Sequence, residues 1–158
     1  MVKKVREIEA CLPHPALPEA DWADCFETGT DQKELTAEAA ARRAFERMPS
    51  WVGPLMALRN LVVRPFGLKG DPDAASANGA RIGMFPVIAS SPAEIVLGFD
   101  DRHLDFRIVV QAEPLGEGGT RIRLMTLIRR HNLLGRAYLS AITPFHKLIV
   151  AAALSRAA

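Results

Sequence analysis

Residues 93–113 read AEIVLGFDDRHLDFRIVVQAE, and the way this stretch pairs with itself decides the fold. Ile95, Leu97 and Phe99 alternate with Glu94, Val96 and Gly98, and beyond the polar DDR, Leu104, Phe106 and Ile108 alternate with Asp105, Arg107 and Val109. A period of two on both sides of a turn signal predicts antiparallel strands. A two-residue turn at Asp101 and Arg102 would set Phe99 opposite Leu104, Leu97 opposite Phe106 and Ile95 opposite Ile108, gathering the large apolar side chains on one face.

The pattern extends in both directions. RIGMFPVIAS, residues 81–90, precedes this pair as a further strand, and TRIRLMTLIRR, residues 120–130, follows it across the PLGEGG turn. Ile122, Leu124, Thr126 and Ile128 are expected on the same apolar face. The opposite register would place Arg121, Arg123 and Arg129 beside Phe106 and Ile108, at a desolvation cost on the order of several kcal/mol. The other face then carries Glu94, Asp100, His103, Asp105, Arg107, Arg121, Arg123 and Arg129, with Val96, Val109, Met125 and Leu127 between them.

Residues 1–18, with Pro13, Pro15 and Pro18 around His14, read as an extended arm that cannot keep a regular ladder. In DWADCFETGT, Trp22, Asp24 and Phe26 alternate with Ala23, Cys25 and Glu27, a short strand ended by Gly29. LTAEAAARRAFERM changes to a helical period, with Thr36 as its cap, and after Pro49 a second helical pattern runs through Trp51, Leu55, Leu58 and Val62. KGDPDAASANGA, residues 69–80, is a loop. RRHNLLGRAYLSAITPFHKLIVAAAL, residues 129–154, holds a long helix capped by Asn132 and bent at Pro144. On a helical wheel Tyr138, Ile142, Phe145 and Ile149 share one side, to face the sheet, and Arg136, Ser140, Thr143 and Lys147 the other. The whole is an α+β fold, a single domain over residues 19–158: a strand, two short helices, a curved antiparallel sheet and a long C-terminal helix against it.

Composition narrows the function. The 158 residues are 49% hydrophobic and 24% charged, in the range of one globular core. The net charge of +2 is spread along the chain and provides no field for nucleic acid. The N-terminus has no signal-peptide core, and no apolar run is long enough to span a bilayer, so no membrane insertion is expected. Cys11 and Cys25 form no CxxC pair; with that, the expectation is a cytoplasmic chain in which Cys25 is a small buried residue.

The order of elements and the blocks LRNLVVRPFGLKG, GMFPVI, GFDDRHLDFRIVV and LLGRAYLSAITPFHKLIV resemble an uncharacterised bacterial family of the START-like superfamily, also called SRPBCC, which includes the birch-pollen-allergen fold and the polyketide cyclases. The resemblance covers residues 20–157. It implies a helix-grip fold with a cavity between sheet and C-terminal helix, a small hydrophobic ligand such as a lipid, an aromatic or a polyketide-like molecule, and a reductase as a conceivable partner; it brings no catalytic residue with it.

The candidate cavity residues are Phe85, Leu97, Phe99, Phe106 and Leu124 from the sheet, with Ile142 and Phe145 from the helix. Thr126, Arg130, Tyr138 and His146 are the polar groups to orient a ligand there. The alternatives to a binding protein are a cyclase- or dehydratase-type enzyme in which His146 or Tyr138 moves protons, and an interaction module that acts through the outer sheet face, paired with a reductase. His103, Asp105 and Arg107 read first as a surface charge ladder and otherwise as an acid–base or anion-binding group. A half-apolar outer face invites cover by a second copy, hence a homodimer. His14, His103, His131 and His146 lack metal-ligand spacing, and neither a GxSxG elbow nor a GxGxxG turn occurs, so no metal or cofactor is expected.

Overall fold

The computed structural model describes residues 4–46, 50, 53–54, 80–83, 85–100, 104–116 and 118–158. Its elements are β1 (Arg6–Ile8), β2 (Trp22–Thr30), α1 (Ala37–Phe45), β3 (Arg81–Ile82), β4 (Phe85–Ser90), β5 (Glu94–Asp100), β6 (Leu104–Pro114), β7 (Thr120–Arg130) and α2 (Leu133–Ala157). The second helix expected after Pro49 and most of the loop at 69–80 fall outside the described residues, as do Asp101, Arg102 and His103.

All seven strands form one antiparallel sheet in the order β1-β2-β7-β6-β5-β4-β3, so the first long strand closes against the last one. The period-two pattern delivers the expected faces, but the register differs by two. Phe99 pairs with Phe106, Leu97 with Ile108 and Ile95 with Val110, while the connection itself, residues 101–103, lies outside the described residues. A shift of two leaves side-chain parity intact, so the face content is the same although the partners change. Gly98 has φ +147°, and a Cβ there would lie 2.1 Å from the Phe106 carbonyl oxygen, so only glycine lets β5 approach β6 at this point. Gly83, at φ +58°, turns the chain between β3 and β4, which splits the expected single strand over residues 81–90.

The N-terminal arm does keep a ladder. Arg6–Ile8 pairs with Cys25–Glu27, since every proline of the arm lies beyond residue 8. Further along, Leu17 packs with Val96, Val109 and Leu127 on the outer face of the sheet, with Ala16 and Ala20 beside them. The apolar part of that face is thus covered by the chain's own arm, and the sequence argument for a second copy on it no longer applies.

The main core lies on the inner face. Phe26, Ile95, Leu97, Ile108, Val110, Ile122 and Leu124 meet Ala37, Ala40, Ala41 and Ala44 of α1 and Val150, Ala153, Leu154 and Ala157 of α2. Thr36 caps α1, its hydroxyl accepting from the Ala39 amide at 3.1 Å, and Asn132 caps α2 by accepting from the Gly135 amide at 2.9 Å. α1 packs over β5 and β6, while α2 packs over β2 and β7 and against α1. No helix among the described residues is long and apolar enough to cross a membrane.

The sheet-facing stripe of α2 differs from the wheel expectation. Leu139, Val150, Ala153, Leu154 and Ala157 are buried, whereas Phe145 is 50% and Leu148 62% exposed. Apolar residues surround this helix on all sides, so hydrophobicity does not choose its orientation. Its buried side is the one that meets α1 and the sheet, where Val150, Ala153, Leu154 and Ala157 share one core with the alanines of α1.

Candidate functional site

The ladder places side chains in rows across the inner face. One row runs Phe99–Phe106–Ile128–Trp22, the next Leu97–Ile108–Thr126–Asp24, and the third Ile95–Val110–Leu124–Phe26. The middle row is apolar on β5 and β6 and turns polar on β7 and β2, with apolar rows on both sides. Asp24 is 5% and Thr126 2% exposed. His146 of α2 reaches down to this pair.

His146 Nε2 lies 3.1 Å from Asp24 Oδ2, an ion-pair distance, but without the alignment of a hydrogen bond. Among the described residues, both Asp24 carboxylate oxygens, the Thr126 hydroxyl and His146 Nε2 are buried with no hydrogen-bond partner. Such groups are uncommon in folded proteins, because each forfeits its hydration without replacement, at a cost of roughly 1–3 kcal/mol. The Trp22 ring meets the imidazole edge-on at 5.9 Å. His146 sits two residues after Pro144, whose ring cannot donate to the Ser140 carbonyl, in a helix that continues without interruption to Ala157.

An aromatic tract leads toward this centre. Phe45 of α1 and Phe85 stand edge to face at 5.3 Å, Phe85 and Phe106 at 5.7 Å, and Phe99 and Phe106 at 4.8 Å. All four are only partly buried. Phe106, Ile128, Trp22, Leu139 and Ile142 continue the apolar contacts to the helix.

Of the residues singled out from sequence, Leu97, Leu124 and Thr126 are buried on the inner face, and Phe85, Phe99, Phe106, Ile142 and His146 are partly buried on it or against it. Phe145 is a correction: it faces solvent, one position before the residue that turns inward. The side chain of Tyr138 lies outside the described residues. Arg130 is held by Asp21, its Nε 3.2 Å from both carboxylate oxygens, and so is engaged at the strand end. His131 contacts Asp105 at 2.9 Å and Arg107 contacts Asp100 at 2.8 Å, so Asp105 and Arg107 each have an ionic partner. The two histidines flanking the α2 proline therefore serve different carboxylates.

Asp24 was not among the residues singled out. Its signal was present in the sequence as an acid between Trp22 and Phe26, on the parity of the apolar face. Cys25, on the opposite parity, is buried, and burial pushes its thiol up to about 11 against the opposing pull of Arg123; this makes it a poor nucleophile.

The family model that matches this chain is described as protein of unknown function (DUF2867) and covers residues 16–153. No curated protein and no solved structure matches the chain.

Proposed function

This chain belongs to the family described as protein of unknown function (DUF2867), and from its site we propose that it binds a small, mainly apolar molecule between the inner sheet face and α2. The carrying observation is the set of four buried, unpartnered polar atoms on Asp24, Thr126 and His146 within an otherwise apolar face. An apolar wall with a few convergent polar groups is what a small-molecule site requires. Phe85, Phe99 and Phe106 supply the wall, Trp22 and Ile142 stand beside the polar centre, and the ligand's own polar group satisfies the atoms that the fold does not. In this reading the sheet and helix form the helix grip of the START-like superfamily, the chain acts inside the cell, and a reductase partner is a property of the resemblance alone.

The test is native mass spectrometry of freshly purified protein together with an aromatic-fragment screen followed on the Ile128 and Ile142 methyl resonances. Retained mass, or fragments that shift those methyls, supports the site. A bare chain mass together with unmoved methyls at millimolar fragment overturns it.

The 3.1 Å approach of His146 to Asp24 favours a second reading, an acid–base enzyme in which the imidazole takes a proton from the bound molecule and Asp24 stabilises the resulting imidazolium. With 2-tetralone as probe in D2O, the wild type would then exchange the protons next to the carbonyl faster than free imidazole does, and His146→Gln would not. Equal rates for the wild type and free imidazole remove this reading and leave the first untouched.

A further inference from the structure

The chemistry of the four unpartnered atoms narrows the ligand class. A carboxylate only accepts hydrogen bonds, so the two Asp24 oxygens require donors, and the fold aligns none on them. The Thr126 hydroxyl can donate once and can also accept, and His146 Nε2 takes part on the remaining side. The centre is therefore short of donors and already carries one acidic group. The described cations close to it along the chain are committed elsewhere: Arg123 donates to Glu27, Arg129 pairs with Glu19, Arg130 is bound by Asp21, and Lys147 donates to Glu7 at 2.7 Å.

Resting on the ligand-binding reading above, we infer that the site selects a neutral hydroxyl, as on a phenol or an alicyclic alcohol, and rejects a carboxylate on the same apolar body. A hydroxyl donates to Asp24 and accepts from Thr126 or His146, which satisfies the centre without adding charge. A ligand carboxylate brings more acceptors and a second negative charge next to a buried one, with Arg130 and Lys147 both engaged. An unsubstituted hydrocarbon fits the wall and leaves the polar atoms as they are, so it binds through the aromatic tract alone.

Titration of the full chain with 2-naphthol, naphthalene and 2-naphthoate tests this, read by calorimetry or by the Ile128 and Ile142 methyls. The expected order is 2-naphthol first, with 2-naphthoate weaker by about tenfold or more, a difference of about 1.4 kcal/mol. Asp24→Asn introduces an amide donor where only acceptors stood, so the naphthol-to-naphthoate ratio should collapse toward unity. Thr126→Val should weaken 2-naphthol alone and provides a second variant should the first not fold. Naphthoate binding as tightly as naphthol to the wild type, or a ratio unmoved by Asp24→Asn, overturns the hydroxyl selectivity and leaves a ligand site standing. Failure of all three probes to bind overturns the ligand-binding reading, and the selectivity with it.

Discussion

Asp24 and Glu27 lie three positions apart on the same strand, β2, and are almost equally buried at 5% and 6% exposure, yet they live in opposite circumstances. Glu27 faces outward, where the Nε of Arg6 donates to it at 2.8 Å and the Nε of Arg123 at 3.2 Å. Arg123 in turn reaches Glu113 at 3.2 Å, and along the same face Arg129 meets Glu19 and Arg107 meets Asp100. Asp24 faces inward among apolar rows with a misaligned imidazole as its neighbour. A carboxylate whose hydrogen bonds are all supplied by the fold serves the fold. One whose hydrogen bonds are missing costs stability, and is what a site for the proposed ligand would present.

The largest expected effect comes from treating the two acids alike. Glu27→Gln removes the negative charge that two arginines share and leaves one carboxamide oxygen where two carboxylate oxygens accepted from them, and should lower stability by about 2 kcal/mol, which for a chain of this length is about 4–8 °C in Tm. Asp24→Asn removes a buried charge that the fold does not compensate, and should leave Tm unchanged or raise it. Thermal melts of the two variants side by side settle the point. Equal losses would mean that Asp24 is as structural as Glu27, and the inner site would lose its physical basis.

Acid sharpens the same contrast. Burial alone would raise the Glu27 carboxyl, but the hydrogen bonds from Arg6 and Arg123 outweigh it and hold the group below its ordinary value of 4.5. A carboxyl depressed in the native state contributes stability that is present above the unfolded value and is lost as pH falls through the folded one. Urea midpoints of the wild type and Glu27→Gln should therefore differ most near neutrality and converge as pH drops below about 4.5. A gap that is constant from pH 7 to pH 3 would show that the arginine contacts contribute through packing instead of charge.

The difference between the two faces was partly legible in the sequence. Alternation in IVLGF, LDFRIVV and TRIRLMTLI assigned side chains to their faces and put Thr126 inside, but in WADCFE it left open which parity meets the core, and only the ladder with β7 brings Asp24 there. The register was not legible, because moving every β5–β6 pair by two changes no face and so leaves the alternation in the sequence the same. The aspect of α2 was not legible either. Its apolar residues encircle the helix, and the side that is buried is the one that meets α1 and the sheet through Val150, Ala153, Leu154 and Ala157. The pairing of Asp24 with His146 joins the first long strand to the last helix, a closure set by where β2 docks beside β7, and nothing local to either residue announces it.

The smallest expected effect isolates the unpaired hydroxyl itself. Thr126 and Thr120 both belong to β7 and both are 2% exposed, but the Thr120 hydroxyl donates to the Gln32 carbonyl at 2.8 Å while that of Thr126 has no partner. Valine matches threonine in shape, so replacing each one weighs a hydroxyl with little change in packing. Thr120→Val should cost about 1 kcal/mol for the lost hydrogen bond and its orphaned carbonyl, and Thr126→Val should gain about 1 kcal/mol by removing an uncompensated desolvation, opposite shifts of about 2–4 °C in Tm. Because the two substitutions are chemically identical, opposite signs can arise only from the partner that one hydroxyl has and the other lacks. A loss at both positions would mean that the fold satisfies Thr126 after all, and that the polar centre under His146 is structural.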